Sequence, residues 1–464
     1  MPVTGSREPR LAVIGLGKLG APMAAVFASK GYDVIGVDLN RDYVESLNHG
    51  RAPVDEAQLQ DLLDASRARL RATGDFADAI AATDISFVIV PTPSGADHFF
   101  SNDYVIDAVT RIGAVLRHTR HDHLVVVTST VMPGSTGGVI RKALEESSGR
   151  TVGVDVGLCY SPEFIALGSV VRDLLNPDMV LIGECDARYG DWLERVYRAS
   201  TESKPAVHRM SMVNAEVCKI AVNTFVTTKI SYANMLSDLC DHLPGSDVDA
   251  ITAALGADTR IGQKYLKGGV AYGGPCFPRD NKAFAALARC LGVPCDIAEA
   301  TDRINDHQVA RLVGAVSALA PRGARIAILG LSYKTGTGVF EKSQGFALAG
   351  ALIAEGYRVT LADPASARRA GEALGDGAEV AVDFAQAVAG ADAAVITTPW
   401  PEIREVPESA FTRAAGAIPV IDPWGLLQGT PLATAVRVTF LGRGGAAPTG
   451  EGVPVYAHSG TQHR

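Results

Sequence analysis

An apolar run that enters a glycine-rich turn and leaves it as a helix occurs early in this chain of 464 residues and is echoed late in it. No other feature limits the fold as strongly. The first copy is LAVIGLGKLG, Leu11 to Gly20, followed by the helix-compatible APMAAVFASK with Gly31 as its stop. DVIGVD then ends at Asp38, ISFVIVPTP at Pro93 and LVVVTST at Thr130. Apolar runs alternating with helical stretches predict βαβ units and a parallel sheet buried on both faces. The same grammar returns in RIAILGLSYK (Arg325 to Lys334), RVTLADP with Asp363, AAVITTP (Ala393 to Pro399) and IPVIDP (Ile418 to Pro423). The fold class is therefore α/β, with two Rossmann-like doubly wound domains that form a distant internal repeat.

Between them lies a different text. From about Ser211 to Leu243 glycine and proline are nearly absent, and Val213, Val217, Ile220, Ala221, Phe225, Ile230 and Leu236 recur at helical spacing. One long central helix is predicted, broken at Pro244-Gly245, joining the two α/β domains and offering a surface for a homodimer. The expected domains are 1–205, 206–315 and 316–440, with a Gly-rich, flexible tail over 441–464.

Hydrophobic residues make up 47% and charged residues 20%, an ordinary globular balance, and the formal net charge is −8 without a basic run. That argues against nucleic acid as a partner, because phosphate binding needs a Lys/Arg surface. Met1 to Arg10 has no apolar signal core, and no run reaches membrane-span length. Seven scattered cysteines, an odd number without a spacing framework, read as reduced thiols of a cytoplasmic protein. No Cys/His cluster has zinc spacing and His121 and His123 stand alone, so no metal is expected.

Gly15, Gly17 and Gly20 form G-x-G-x-x-G between strand and helix, enclosing Lys18 and Leu19. The first glycine permits the tight turn, the second admits a pyrophosphate to the backbone, and the third lets helix and strand pack closely. The helix N-terminus adds free N–H groups for the anion. Asp38, 18 residues after Gly20, is placed to accept both ribose hydroxyls and to repel a 2′-phosphate, which indicates NAD rather than NADP. The bland alternative is a βα turn that binds nothing. Gly330-Leu331-Ser332 illustrates it: the third glycine is missing, and no NAD is assigned there.

The segment GGVAYGGPCFPRDNKAF, Gly268 to Phe284, sets Cys276 in a Gly/Pro turn four residues before Asp280. A cysteine there is accessible, and Arg279 or a helix N-terminus favours its thiolate. The other six cysteines, in strand-like or helix-like stretches, read as small hydrophobes.

At this point the chain resembles the UDP-glucose/GDP-mannose dehydrogenase family, most closely its UDP-glucose 6-dehydrogenase branch. The matching texts are VIGLGKLG, VPTPS, TSTVMPGST, SPEFIALGS, NPDMVLIG, CKIAVNTFVTTKISYAN, RIGQKYLKGGVAYGGPCFPRD and LGLSYKTGT, over roughly residues 10 to 430. The resemblance implies a four-electron oxidation of a nucleotide-sugar CH2OH to a carboxylate with two NAD, through a thiohemiacetal and a thioester on Cys276. It implies that Lys219 and Asn223, at i,i+4 spacing, stabilise an oxyanion together. Asp280 becomes a base or water-orienting group, Glu163 acts in thioester hydrolysis, and Thr130 places water. Pro91, Thr92, Pro93 and Thr130 join the cofactor set. Arg260 reaches the substrate across the dimer interface. Tyr265, Leu266 and Lys267 form a loop over the nucleotide sugar, Lys334 lies at the sugar-binding face, and Phe164, Gly273, Phe277 and Tyr333 complete the substrate set.

Two departures from the family pattern bear on the sugar. Leu167 stands where a second glutamate is usual, and Glu341 where an arginine is usual. Arg279 also replaces the commoner lysine, which keeps the charge and changes its geometry. UDP-glucose leads on text; the alternatives are GDP-mannose, a UDP-N-acetylhexosamine or a specialised sugar, and Pro275 argues against the N-acetylhexosamine branch. A β-hydroxyacid dehydrogenase would need neither the thiol nor the second Rossmann-like half. A nucleotide-sugar-binding homologue without catalysis has only Leu167 and Glu341 in its favour.

Overall fold

The computed structural model describes residues 8–414 and 416–445. The chain divides into two compact units, Met1–Val222 and Asn223–Arg464, with the boundary inside one long helix.

The first unit holds an eight-stranded sheet: β1 (Leu11–Ile14), β2 (Val34–Val37), β3 (Leu70–Thr73), β4 (Ile85–Val88), β5 (Leu124–Val127), β6 (Gly157–Tyr160), β7 (Met179–Glu184) and β8 (Ala206–Ser211). Their order is β3-β2-β1-β4-β5-β6-β7-β8, parallel except at β6–β7. The register sets Ile14 opposite Val37 on one side and Val88 on the other. Every residue of β1, β2, β4 and β5 is buried, because helices cover both faces and make strict alternation unnecessary.

Two strands stop earlier than the sequence suggested. β4 ends at Val88 rather than Pro93, and β5 at Val127 rather than Thr130. Pro91 and Pro93 have no N–H for a ladder. Side chains stitch the two segments instead: Val90 N donates to Ser129 Oγ (2.9 Å), Ser129 Oγ donates to Val90 O (2.7 Å), and Thr92 Oγ1 donates to Thr130 O (2.7 Å).

The second unit holds β9 (Arg325–Leu329), β10 (Arg358–Ala362), β11 (Ala378–Val380), β12 (Ala393–Ile396), a two-stranded pair β13 (Thr412–Arg413) and β14 (Gly416–Ala417), then β15 (Pro419–Asp422) and β16 (Arg437–Phe440). The main sheet runs β11-β10-β9-β12-β15-β16, all parallel.

Both sheets use glycine to let a helix approach its strand. A β-carbon on Gly20 would lie 1.7 Å from Gly15 O, and one on Gly345 would lie 2.2 Å from Gly330 O. The third glycine that the sequence reading found missing is therefore present as a packing device. It follows its turn by 15 residues instead of 5, after an insertion that carries Tyr333, Lys334 and Glu341.

The central helix spans Met212–Asp241, 30 residues, so about 45 Å at 1.5 Å per residue. Among the described residues no helix is long and apolar enough to cross a membrane. The expected tail over 441–464 begins with five described residues tied to the second unit: Gly442 N donates to Asp241 Oδ1 (2.6 Å) and Arg443 pairs with Asp249 (3.0 Å). Residues 446–464 lie outside the described residues.

Candidate active site

The glycine turn of the first unit forms a cradle. Gly15 has φ +100°, and a β-carbon there would meet Ile89 O at 2.5 Å; a β-carbon on Gly17 would meet nothing within 4 Å. Backbone is thus bare to solvent where a pyrophosphate must come close, beside the N-terminus of the helix Gly20–Ser29. Lys18 is exposed and Leu19 half-buried on the turn. Asp38 accepts from Leu16 N (2.6 Å, Oδ2) and Asn40 N (2.7 Å, Oδ1). One bond per oxygen leaves each with a further lone pair, which suits two ribose hydroxyls. A hollow of about 380 Å³ beside it is lined by Asp38, Leu39, Arg41, Val44, Glu45 and Gly74.

Asp363 holds the equivalent place after β10 and behaves differently. Its carboxylate accepts six bonds: from the backbone of Leu331, Ser332, Ala365 and Ser366, from Ser332 Oγ, and from Trp400 Nε1. Burial would raise this carboxyl, but those donors hold it below its ordinary value. With all its acceptor positions taken, it is a structural knot with no room for a ribose.

Three of the expected catalytic residues fall in the first unit. Thr130 follows β5, half-buried, its carbonyl held by Thr92. Glu163 follows β6, and its carboxylate accepts from Tyr197 OH at 3.2 Å. Burial pushes the Glu163 carboxyl up to about 7, against the Tyr197 hydrogen bond and the Lys219 charge, which both pull it down. Lys219 Nζ donates to Glu163 O (2.6 Å), and its ammonium lies 4.6 Å from the Phe164 ring centroid. A titratable carboxyl poised near neutrality beside a fixed cation is suited to proton transfer. Tyr197 was not among the expected residues; on the helix Ala187–Ser200 it reads as an ordinary core aromatic.

The second unit holds the sulfur centre. Cys276 is exposed at the N-cap of the helix Phe277–Cys290, so the free N–H groups of the first turn and the positive end of the helix dipole favour anionic sulfur. Asp280 sits one turn on, fully buried; its N–H donates to Cys276 O (2.8 Å). Asn223 Nδ2 donates to Asp280 Oδ2 (2.6 Å), and Arg279 Nε to Asp280 Oδ1 (2.9 Å). Arg279, expected to favour the thiolate, bonds Asp280. Of Lys219 and Asn223, Lys219 bonds the Glu163 carbonyl and Asn223 the Asp280 carboxylate.

The turn before the cysteine is suspended from its neighbours. Asn234 bonds Gly269 N and Val270 O, and Asn305 bonds Tyr272 N and O. A β-carbon on Gly273 would lie 2.3 Å from Lys342 O, and one on Gly274 (φ +79°) 2.7 Å from the Tyr333 ring. The inserted loop after β9 therefore packs directly on the cysteine turn. Phe277 stands edge-on to Tyr265 and Tyr272, with centroids 6.3 and 6.4 Å away. Leu266 is buried, while Lys267 and Tyr265 are exposed, the latter at φ +64°. Lys334 is half-buried in the inserted loop. Arg260 is exposed and pairs with Asp258.

Among the departures, Leu167 packs against the apolar core of the first unit, and Glu341 is exposed. The rings of His121 and His123 are 5.8 Å apart, and His123 is buried against Ser86 Oγ (2.8 Å). Cys290, read as a buried hydrophobe, is exposed at a helix end.

Comparison with known proteins matches three family models in sequence order. They describe the UDP-glucose/GDP-mannose dehydrogenase family: its NAD binding domain over residues 9–201, its central domain over 213–307 and its UDP binding domain over 327–429. A UDP-glucose 6-dehydrogenase of Haloferax volcanii is 37% identical over 396 residues, covering 84% of this chain and 91% of that protein. A GDP-mannose 6-dehydrogenase of Pseudomonas savastanoi is 34% identical over 358 residues, covering 76% and 80%. The structure of a UDP-glucose dehydrogenase from Pyrobaculum islandicum superposes with a TM-score of 0.83 at 32% identity, covering 95% of this chain and 98% of that one.

Proposed function

The chain belongs to the UDP-glucose/GDP-mannose dehydrogenase family as an NAD-dependent nucleotide-sugar 6-dehydrogenase, and from that premise we propose that it converts UDP-glucose to UDP-glucuronate through a thioester on Cys276. The observation that carries this reading is the exposed Cys276 at a helix N-terminus, one turn before a buried Asp280. The higher identity and longer coverage of the Haloferax volcanii UDP-glucose 6-dehydrogenase, 37% over 84% of this chain against 34% over 76% for the GDP-mannose 6-dehydrogenase, favour UDP-glucose.

Gly15, Gly17, Gly20 and Asp38 hold NAD, with Lys18, Leu19, Pro91, Thr92, Pro93 and Thr130 around it; when bound, it takes up hydride, two equivalents per sugar oxidised. The first oxidation turns C6 into an aldehyde. The Cys276 thiolate then forms a C–S bond to that carbon, so the aldehyde is never free. Asn223 and Lys219 donate to the developing oxyanion, each from its own anchor. After the second oxidation C6 is a thioester. Glu163 takes a proton from water placed by Thr130, the water oxygen bonds C6, and the C–S bond breaks to return the thiolate. Asp280 orients groups at the sulfur through its contacts with Asn223 and Arg279. The nucleotide sugar is bound by Phe164, Arg260, Tyr265, Leu266, Lys267, Gly273, Phe277, Tyr333 and Lys334.

We assign 1–205 to the NAD domain, 206–315 to a central dimerisation domain, 316–440 to the nucleotide-sugar domain and 441–464 to a tail. A homodimer is supported by Phe225, Tyr232, Met235 and Leu239, which share one face of the central helix and are 66%, 47%, 43% and 59% exposed. Seven cysteines outside any disulfide suit the reducing cytoplasm.

The test is stoichiometry. Purified enzyme with NAD and a panel of nucleotide sugars should yield two NADH and one uronic acid per UDP-glucose, and Cys276→Ala should make no acid. One NADH with an accumulating aldehyde or ketone would mean a simple hydroxyl dehydrogenase.

A further inference from the structure

The first turns of the central helix are held at two points within the first unit. At Gly183 on β7, a β-carbon would stand 2.7 Å from Met212 Cα and 2.9 Å from Ala215 Cβ, so helix and strand meet at a separation that only glycine allows. One residue past Ala215, Glu216 is fully buried. Its carboxylate is spent on backbone: Gly134 N donates to Oε2 (2.5 Å) and Thr136 N to Oε1 (2.7 Å). Those N–H groups open the helical stretch Thr136–Ser148, where a buried anion satisfies orphan donors and meets the positive end of the helix. Burial raises the Glu216 carboxyl, and these bonds oppose the rise.

The capped turn begins four residues after Thr130. Three residues after Glu216, the same helix carries Lys219, bonded to the carbonyl of Glu163. Glu216 thus links the segment of Thr130 to the helix of Lys219. Neither the glycine turn nor the sulfur chemistry uses it.

We propose that Glu216 is a positioning residue, holding the Thr130 turn in register with Lys219 so that water reaches the thioester. The inference rests on the thioester reading above. A glutamine has nearly the same shape but a single acceptor oxygen; its NH2 would face the second N–H, donor against donor, and the turn would shift.

The experiment uses the full chain with UDP-glucose and NAD. For Glu216→Gln, the rate of acid release should fall at least tenfold and acyl-Cys276 should accumulate in intact-protein mass spectra. The KM for UDP-glucose should stay within twofold of wild type. Rates are counted per folded chain, from circular dichroism and Cys276 alkylation. If Glu216→Gln does not fold, Glu216→Asp keeps the charge but withdraws it by one methylene, and should slow release at least threefold with the same adduct. A wild type that gives one NADH and an aldehyde sinks the thioester reading and this inference together. A wild type that makes acid, beside a folded variant that releases it at the wild-type rate, sinks this inference alone.

Discussion

Asn223 donates through its side-chain amide to the carboxylate of Asp280 across 2.6 Å, tying the central helix to the residue four positions past Cys276. Asp280 has no exposed surface, and Asn223 and the guanidinium of Arg279 bond its carboxylate there. Removing one partner of a buried charge costs about 1.5–3 kcal/mol. Asn223→Ala should lose that much in urea denaturation and should also lower kcat. A variant with wild-type stability and turnover would show the bond to be dispensable.

The Glu163 carboxyl sits at about 7 because burial outweighs the Tyr197 hydrogen bond and the Lys219 charge. A general base must be ionised, so acid release should fall about tenfold for each pH unit below that value. Tyr197→Phe removes a bond that favours the carboxylate, so the inflection should move to higher pH. In Glu163→Gln the inflection should vanish and acyl-enzyme should accumulate. A pH profile of single-turnover release checks all three; an unchanged inflection in Glu163→Gln would assign it to another group.

Asp38 spends one bond per carboxylate oxygen on backbone, which leaves each oxygen a further lone pair. The enzyme should prefer NAD over NADP in kcat/KM, and Asp38→Ser should narrow the difference by relieving repulsion of a 2′-phosphate. Equal turnover with both cofactors in the wild type would refute the assignment.

Arg260 is exposed and held only by Asp258, two residues away. If it serves the site of a second copy, mixed dimers of Cys276→Ala and Arg260→Ala chains should regain part of the activity that each homodimer lacks. Mixed dimers confirmed by native mass spectrometry but without activity would rule that out.

Much of this was legible in the sequence because it is written locally. The glycine turn, Asp38 and the Gly/Pro setting of Cys276 declare themselves by spacing and by residues that suit few backbones. Tyr197 and Glu216 declare nothing. A tyrosine among apolar residues of a helix reads as core, and a glutamate three residues before a lysine reads as a solvated pair. Their roles come from partners 34 and 80 residues away. Strand ends differ for a related reason: apolar text runs on past Val88 and β-prone Thr128-Ser129-Thr130 past Val127, but prolines and the Ser129 and Thr92 side chains replace the ladder. Gly345 escaped notice because a motif search counts residues, whereas packing needs only that a hydrogen face a carbonyl.

That displaced glycine separates chassis from cargo. The joint between β9 and its following helix closes on Gly330 and Gly345, and the chain between them is fastened at both ends, Leu331 and Ser332 to Asp363 and Ser343 to Leu331 O. The residues between those two ends carry Tyr333, Lys334 and Glu341. Because Tyr333 and Lys342 also brace Gly274 and Gly273, any change to this loop must still fit the cysteine turn.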